Sequence, residues 1–255
     1  MEHKRISMKY RFTLALLGLL LLAACQTGPS YTSDEWVDQS IQAHGLDQWN
    51  GQIIAFDFRD HHYTLWRQNG QYEYTRFKVD GKKATLDRLN SAGDFSRTIN
   101  DLAVNVPDSL QVKYSESINS VGYFFALPLP LKDKAVIKEN GALITIGGKQ
   151  YQTLNIRFNQ EGGGTDFEDE FRYWINTETL LVDFLAYQYA TDGGGVRFRE
   201  ATARTEASGM VFQNYKNFKP EEKSTPLDSL PSLWEKEGLI LLSEINNTAI
   251  QVIPR

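Results

Sequence analysis

Apolar and polar positions alternate with a period of two along most of the chain, and only two stretches keep a helical period instead. In Ile53–Arg59 the residues Ile54, Phe56 and Phe58 fall on one face of an expected strand. His62–Gln68 and Gln71–Lys78 repeat the pattern on either side of Asn69-Gly70, a dipeptide suited to a two-residue hairpin turn. Asp80-Gly81 starts a second hairpin into Lys82–Leu89, and a further strand is expected near Phe95–Ile99. Strands resume at Ala135–Lys138, Ala142–Ile146 and Gln150–Phe158, with Asn140-Gly141 and Gly147-Gly148 as turns. The run from Glu161 to Arg204 then holds three strands bracketed by two glycine triplets. Taking NTET as a four-residue loop pairs Ile175 with Leu180, Arg172 with Asp183 and Phe171 with Phe184. The next loop, from Ala190 to Gly195, sets Tyr189 against Val196 and Tyr187 against Phe198. Thr202–Glu206 and Met210–Phe218 follow around a Gly209 turn.

The first helical stretch opens with Thr32-Ser33-Asp34-Glu35, a capping box with Tyr31 and Trp36 placed as a hydrophobic staple. Trp36, Val37, Ile41 and His44 continue it at helical spacing to a Gly45 stop, where His44 is expected to act as a charge-compensating cap. The second begins at Pro107 and runs from about Asp108 to Ala126, ended by Pro128 and Pro130. Leu110, Tyr114, Ile118, Val121 and Phe125 form its apolar stripe, and Gly122 allows a neighbour to come close. Beyond Pro220 the segment PEEKSTPLDSLPS reads as a linker before a tail that adds a short helix or strand.

The N-terminus changes what the composition means. Lys9 and Arg11 precede an apolar run, Phe12–Ala24, that is too short to span a bilayer and has the layout of a secretory signal. Met8 offers a second start, since MKYRFTLALLGLLLLAAC is a complete leader by itself. The leader ends in Leu22-Ala23-Ala24-Cys25, which resembles the lipobox of bacterial lipoproteins and makes Cys25 the candidate lipidation site and membrane anchor. Cys25 is the single cysteine, so no intramolecular disulfide can form and stability must come from the core. Removing residues 1–24, with four basic residues and one acidic, leaves 23 basic against 31 acidic residues, a net charge of −8. That balance, without a basic cluster, argues against a nucleic-acid partner. Gln26 follows the cysteine, and neither an Asp nor an acidic run does; by resemblance this implies an outer-membrane lipoprotein facing the periplasm.

Counting outward from the first two hairpins gives the candidate site. Gln68 opposite Gln71 sets Arg67 beside Tyr72, Leu65 beside Tyr74 and Tyr63 beside Arg76, while Val79 opposite Lys82 sets Tyr74 beside Asp87. Tyr63, Arg67, Tyr72, Tyr74, Arg76 and Asp87 then share one side of the sheet, as a ligand-orienting patch or as cross-strand pairs that only stabilise it. His61 and His62 point to opposite faces and cannot share a metal, and no HExxH, GxSxG, P-loop or CxxC pattern occurs. The triplets Gly162–Gly164 and Gly193–Gly195 read as turns, and Asp166, Glu168, Asp169 and Glu170 lack calcium-loop spacing. No metal, cofactor or catalytic residue is therefore assigned.

Between about Trp36 and Pro220 the chain resembles a family of Bacteroidota lipoproteins without an assigned activity. The resemblance rests on AHGLDQW, FDFRDHHYTLWRQNGQYEYTRF, INSVGYFFALPLPL, NQEGGGTDFEDEFRYWINTETLLVDFLAYQY and DGGGVRFRE. More remotely, the order of helix, meander, helix and long meander is similar to the LolA-like lipoprotein-sorting fold. That resemblance implies an α+β class: a strongly curved antiparallel β-sheet, a half-barrel, with helices packed on the concave face. The expected organisation is a signal peptide over 1–24, a lipidated cysteine and tether over 25–32, one LolA-like domain over 33–220 and a C-terminal extension over 221–255. The leading functional expectation is an anchored periplasmic protein that binds a lipid or other hydrophobic ligand without catalysis. An envelope hydrolase with a His/Asp site in the cleft, and a solid-core interaction module, stay open as alternatives.

Overall fold

The N-terminal meander forms with the boundaries its pattern predicts to within a residue or two. The computed structural model describes residues 31–159, 168–190 and 193–254, and Tyr31–Arg255 form one compact unit. Strands β1 (Ile53–Phe58), β2 (His61–Gln68), β3 (Gln71–Asp80), β4 (Lys83–Asn90) and β5 (Phe95–Ile99) run antiparallel in sequence order, and a short β6 (Leu102–Val104) extends them. Asn69 (φ 51°) and Gly70 (φ 79°) both take the left-handed conformation that a tight hairpin turn requires, and Arg67–Tyr72 and Tyr63–Arg76 pair as counted. The second hairpin differs. Its loop is Gly81-Lys82, because Gly81 (φ 59°) must occupy the first loop position, so the ladder shifts by two residues. Arg76 therefore faces Asp87 directly, and Tyr74 faces Leu89 instead of Asp87.

Helix α1 (Ser33–Ala43) has the capping box and the staple, with the Tyr31 and Trp36 rings edge-to-face at 5.0 Å. Its end is docked against the turn after residue 207: Val211 N–H donates to the His44 carbonyl at 2.8 Å, and a Cβ on Gly45 would lie 2.0 Å from the Gly209 carbonyl oxygen. Only glycine fits there, and at φ 66° only glycine is unstrained. Helix α2 (Asp108–Phe125), capped by Pro107, packs on β3, β4 and β5. Ile118, Gly122 and Phe125 are its buried positions, whereas Leu110 is exposed although the helical pattern placed it on the apolar stripe.

The second half of the chain makes its own sheet rather than continuing the first. Strands β7 (Val136–Ile146), β8 (Lys149–Phe158), β9 (Glu170–Asn176), β10 (Val182–Tyr189), β11 (Gly195–Ala207) and β12 (Met210–Lys219) pair in order. Asn140-Gly141 is not a turn; it lies inside β7 at a bulge, where Gln152 donates to the Gly141 carbonyl at 2.9 Å. A bulge at Asp183 and a positive φ at Leu180 also move the NTET hairpin off its expected ladder: Phe171 pairs with Tyr187, and Arg172 with Ala186 instead of Asp183. The following loop slips by one residue, setting Tyr187 against Arg197 and Tyr189 against Gly195. A one-residue slip exchanges the faces of a strand. Val196 and Phe198 thus join Trp174 and Phe184 on the outer face, and Tyr187 turns inward with Phe171 and Tyr173. A short helix α3 (Leu230–Glu235), preceded by a turn at Leu227–Ser229, covers the outer face through Leu227 and Leu230. Leu230, Trp174 and Phe198 are wholly buried there, at roughly 1.5–3 kcal/mol each, so the cover is part of the fold.

Residues beyond Pro220, expected as a C-terminal extension, add an edge strand to each sheet. Strand β13 (Ile240–Ile245) pairs with β12, and after Asn246 strand β14 (Asn247–Ile253) pairs with β1. The result is two seven-stranded antiparallel sheets, ordered β14-β1-β2-β3-β4-β5-β6 and β13-β12-β11-β10-β9-β8-β7, stitched by one C-terminal segment. Helix α2 also ties them: Phe125 stacks on Phe56 of the first sheet at 3.7 Å and on Phe212 of the second at 4.8 Å. This aromatic column is the centre of the main core, and it fixes which flanks of α2 remain open.

Candidate functional site

One flank of α2 is open along most of its length. A groove of about 820 Å³ runs between the helix and the two sheets, within the size range of small-molecule pockets. Tyr72, Leu89 and Phe95 form its first wall, and Phe158, Phe171, Tyr187 and Tyr189 form the facing wall. Val112, Ser115, Asn119, Tyr123 and Phe124 of α2 make its floor, with Asp108, Glu116, Asp169 and Arg197 as the polar lining. The second wall is an interlocked set of rings: Phe171 stacks on Tyr187 at 5.4 Å, Phe158 meets Phe171 edge-on at 5.6 Å, and Phe124 lies 5.3 Å from Tyr187. The Tyr123 and Tyr173 hydroxyls bond at 2.8 Å, and burial raises both above the ordinary tyrosine value. They stay neutral and give that part of the core an uncharged hydrogen-bonded pair.

The six residues predicted as a patch do share the α2 side of the first sheet, but they serve three places. Tyr72 reaches the groove. Tyr63 is buried against Phe56, with rings stacked at 5.4 Å. Tyr74 is buried under Gly122, where a Cβ would lie 2.6 Å from its ring; Arg67 donates to its hydroxyl at 2.7 Å and continues to Asp133 at 3.2 Å. Burial pushes the Tyr74 hydroxyl up to about 12 against the opposing pull of Arg67. Asp87, 2% exposed, accepts from both Arg76 (2.7 Å) and Arg97 (2.6 Å). Arg76 continues to Ser117 of α2 at 3.0 Å, and Arg97 lies over the Tyr114 ring at 3.9 Å. Bonding to Asp87 raises the Arg97 value further, so that cation is permanent. This triad forms one wall of a cationic recess of about 420 Å³ that also holds Lys78, Lys83 and Lys113.

His44 is a correction. It is the C-cap of α1, as expected, but buried and neutral rather than charge-compensating, with Nδ1 donating to the Val211 carbonyl at 3.2 Å and Nε2 accepting from the Val182 N–H at 3.4 Å. Burial lowers its value to about 4, so it is a neutral strut, with both ring nitrogens engaged. His61 pairs with Asp60 and His62 with Asp57, at 2.7 and 2.6 Å, and no metal-binding cluster occurs among the described residues. Cys25, Gly162–Gly164 and Asp166 lie outside the described residues. The aromatic wall escaped the sequence reading because the slip at Tyr187 hid which ring of each pair turns inward. The available signal was the polar run Ser115, Glu116, Asn119 and Ser120 on α2, beside its apolar stripe.

With this geometry in place, comparison with known proteins identifies the fold. The chain is similar to a LolA superfamily protein from Nitrosomonas europaea, at 8% identity over 89% of this chain and 94% of that one, with a TM-score of 0.50. A DUF1329 family protein from Desulfovibrio piger aligns at 8% identity over 87% of this chain and 93% of that one, with a TM-score of 0.49. The fold is thus LolA-like, built of antiparallel sheets with a few helices. The chain itself belongs to the family of unknown function DUF6503, whose profile matches residues 9–247. No curated protein matches it.

Proposed function

We propose that this protein is a cell-envelope lipoprotein, anchored through Cys25 on the periplasmic side of the outer membrane, that binds a lipid or other hydrophobic ligand without catalysis. The observation that carries the reading is the 820 Å³ groove beside α2, open on one flank and walled by rings. A core that only needed to be solid would have closed it, since interiors pack to the density of organic crystals. In this reading the two sheets curve as one half-barrel around α2, and the groove is the uncovered part of its concave face. The LolA-like fold supports the same direction, as do the leader and the cysteine at its end. Of the predicted patch, Tyr72 contacts the ligand; Arg67, Tyr74, Arg76 and Asp87 hold the wall and helix that shape it. For His44 and Asp87 the geometry disfavours the hydrolase alternative: both His44 nitrogens are bonded to backbone, and Asp87 is held by two arginines.

The test is native mass spectrometry with solvent extraction, on the chain from Thr27 onward purified without detergent. All described packing lies within Tyr31–Arg255, so this piece carries the whole fold. A bound lipid released on denaturation is the expected result. A bare mass that stays unchanged after incubation with envelope lipids would sink the reading and leave a protein-interaction module in front.

A further inference from the structure

On the other flank of α2 lies a second, smaller cavity of about 180 Å³, and one residue in its lining is out of keeping with the rest of the protein. Arg199, on β11, is 8% exposed. Its Nη2 donates to the Tyr187 hydroxyl at 3.0 Å, and its guanidinium carbon sits 3.7 Å over the Phe124 ring. Its Nε is buried with no acceptor, and among the described residues no carboxylate lies within ion-pair distance of it. Arg67, Arg76, Arg97 and Arg172, all half-buried, each pair with an aspartate, while half-buried Arg197 bonds the Tyr189 hydroxyl. An arginine taken out of water without a counter-ion is costly, and cation–π contact with Phe124 offsets only part of that cost. The lining adds Arg59, Ser120, Asn217, Ser243 and Asn247, and contains no acidic residue.

We propose that Arg199 is the seat for the anionic head of an amphiphilic ligand, a carboxylate or phosphate group, whose hydrocarbon tail lies in the aromatic groove. The two cavities meet at Ser120 and Phe124, which line both, and Tyr187 links them by lining the groove while holding Arg199. An anion there would supply the counter-charge that the Arg199 guanidinium lacks, an attraction strengthened in a partly dry site. The small cavity has room for a head of a few heavy atoms, and the groove has room for the chain. This assignment deepens the hydrophobic-ligand reading and rests on it.

The experiment compares hexadecanoate, hexadecyl phosphate and 1-hexadecanol, which share one tail, by calorimetric titration into the delipidated chain from Thr27 onward. Acetate and inorganic phosphate serve as free anions. The two charged amphiphiles are expected to bind roughly 10- to 100-fold more tightly than the alcohol, and the free anions far more weakly than either. Arg199→Gln should bring the charged amphiphiles to the level of the alcohol while alcohol affinity stays within about twofold, and Arg199→Lys should keep part of the preference. Equal binding of acid and alcohol by the unmodified protein overturns the anion seat while leaving the groove standing. Inorganic phosphate binding as tightly as hexadecyl phosphate overturns the amphiphile in favour of a free anion. Failure of all three amphiphiles removes the reading on which the proposal rests. The comparison in unmodified protein decides even where a variant does not fold.

Discussion

Acidification should strip about 2–3 kcal/mol from this fold through one side chain. His44 is fully buried, bonded to the Val211 carbonyl and the Val182 N–H, and burial holds it near 4 against its ordinary 6.5. A tenfold change in proton affinity is worth about 1.4 kcal/mol, so the neutral ring carries about 3 kcal/mol of pH-dependent stability. The folded value is the depressed one, so the unfolded chain binds the proton first. The contribution is whole above pH 6.5 and is lost as the pH falls toward 4. Most of it is gone by pH 4.5. The check is urea unfolding at pH 7.5 and 4.5, for the unmodified protein and for His44→Gln. The variant should be weaker at pH 7.5, having lost a buried pair of bonds, at about 1–3 kcal/mol. Its further loss on acidification should be smaller than that of the unmodified protein by about 2.5 kcal/mol, a difference in which carboxylates common to both cancel. Equal losses in the two proteins would show that the ring is not the buried neutral group described, and the argument would fail.

Asp87→Asn leaves Arg76 and Arg97 facing each other without their shared counter-charge and should cost about 3–5 kcal/mol, or roughly 6–10 °C in Tm by calorimetry; a shift below 1 °C would mean that water already screens the triad. Replacing all three by apolar residues of similar size should recover most of that loss. Gly122→Ala gains about 1 kcal/mol of helix propensity yet drives a methyl to 2.6 Å from the Tyr74 ring, so destabilisation by about 1–2 kcal/mol is expected in denaturant unfolding, and a more stable protein would mean that the ring moves freely. Ser115→Trp fills the floor of the groove and should lower lipid occupancy at least tenfold with Tm within about 2 °C; unchanged occupancy by native mass spectrometry would move the ligand elsewhere.

What was legible in the chain was what local chemistry decides. Thr32 and Glu35 are three residues apart and cap whatever follows, and Asn69-Gly70 sets its own hairpin because both residues accept the left-handed turn conformation. The same dipeptide at Asn140-Gly141 misled, since the long ladder with β8 overrode a two-residue preference and absorbed it as a bulge. Bulges at Asp183 and between Ala201 and Arg204 depend on partner strands distant in sequence, so the faces of β10 and β11 could not be counted from their loops. That ambiguity hid the groove and Arg199 together. The patch of Tyr63, Arg67, Tyr72, Tyr74, Arg76 and Asp87 survived as one side of a sheet because a two-residue error in the second hairpin preserves the face. His44 was placed at the right helix end and in the wrong medium, since nothing within α1 announces the strands that bury it.

The strand that follows Asn246 gives this fold a timetable. Ile53 waits for Ile253, and Tyr215 for Ile245, so neither sheet has all its strands until the last residues have been made. Before then β1 and β12 each show a row of unpaired backbone groups, and the completed state is reached only by closing a loop of two hundred residues, which is entropically slow. Under the proposed envelope location, which requires the chain to cross a membrane unfolded, that delay would be useful: translocation could proceed ahead of the final pairing. A chain stalled or clipped before residue 240 would instead present two open edges at once, the template on which other copies pair.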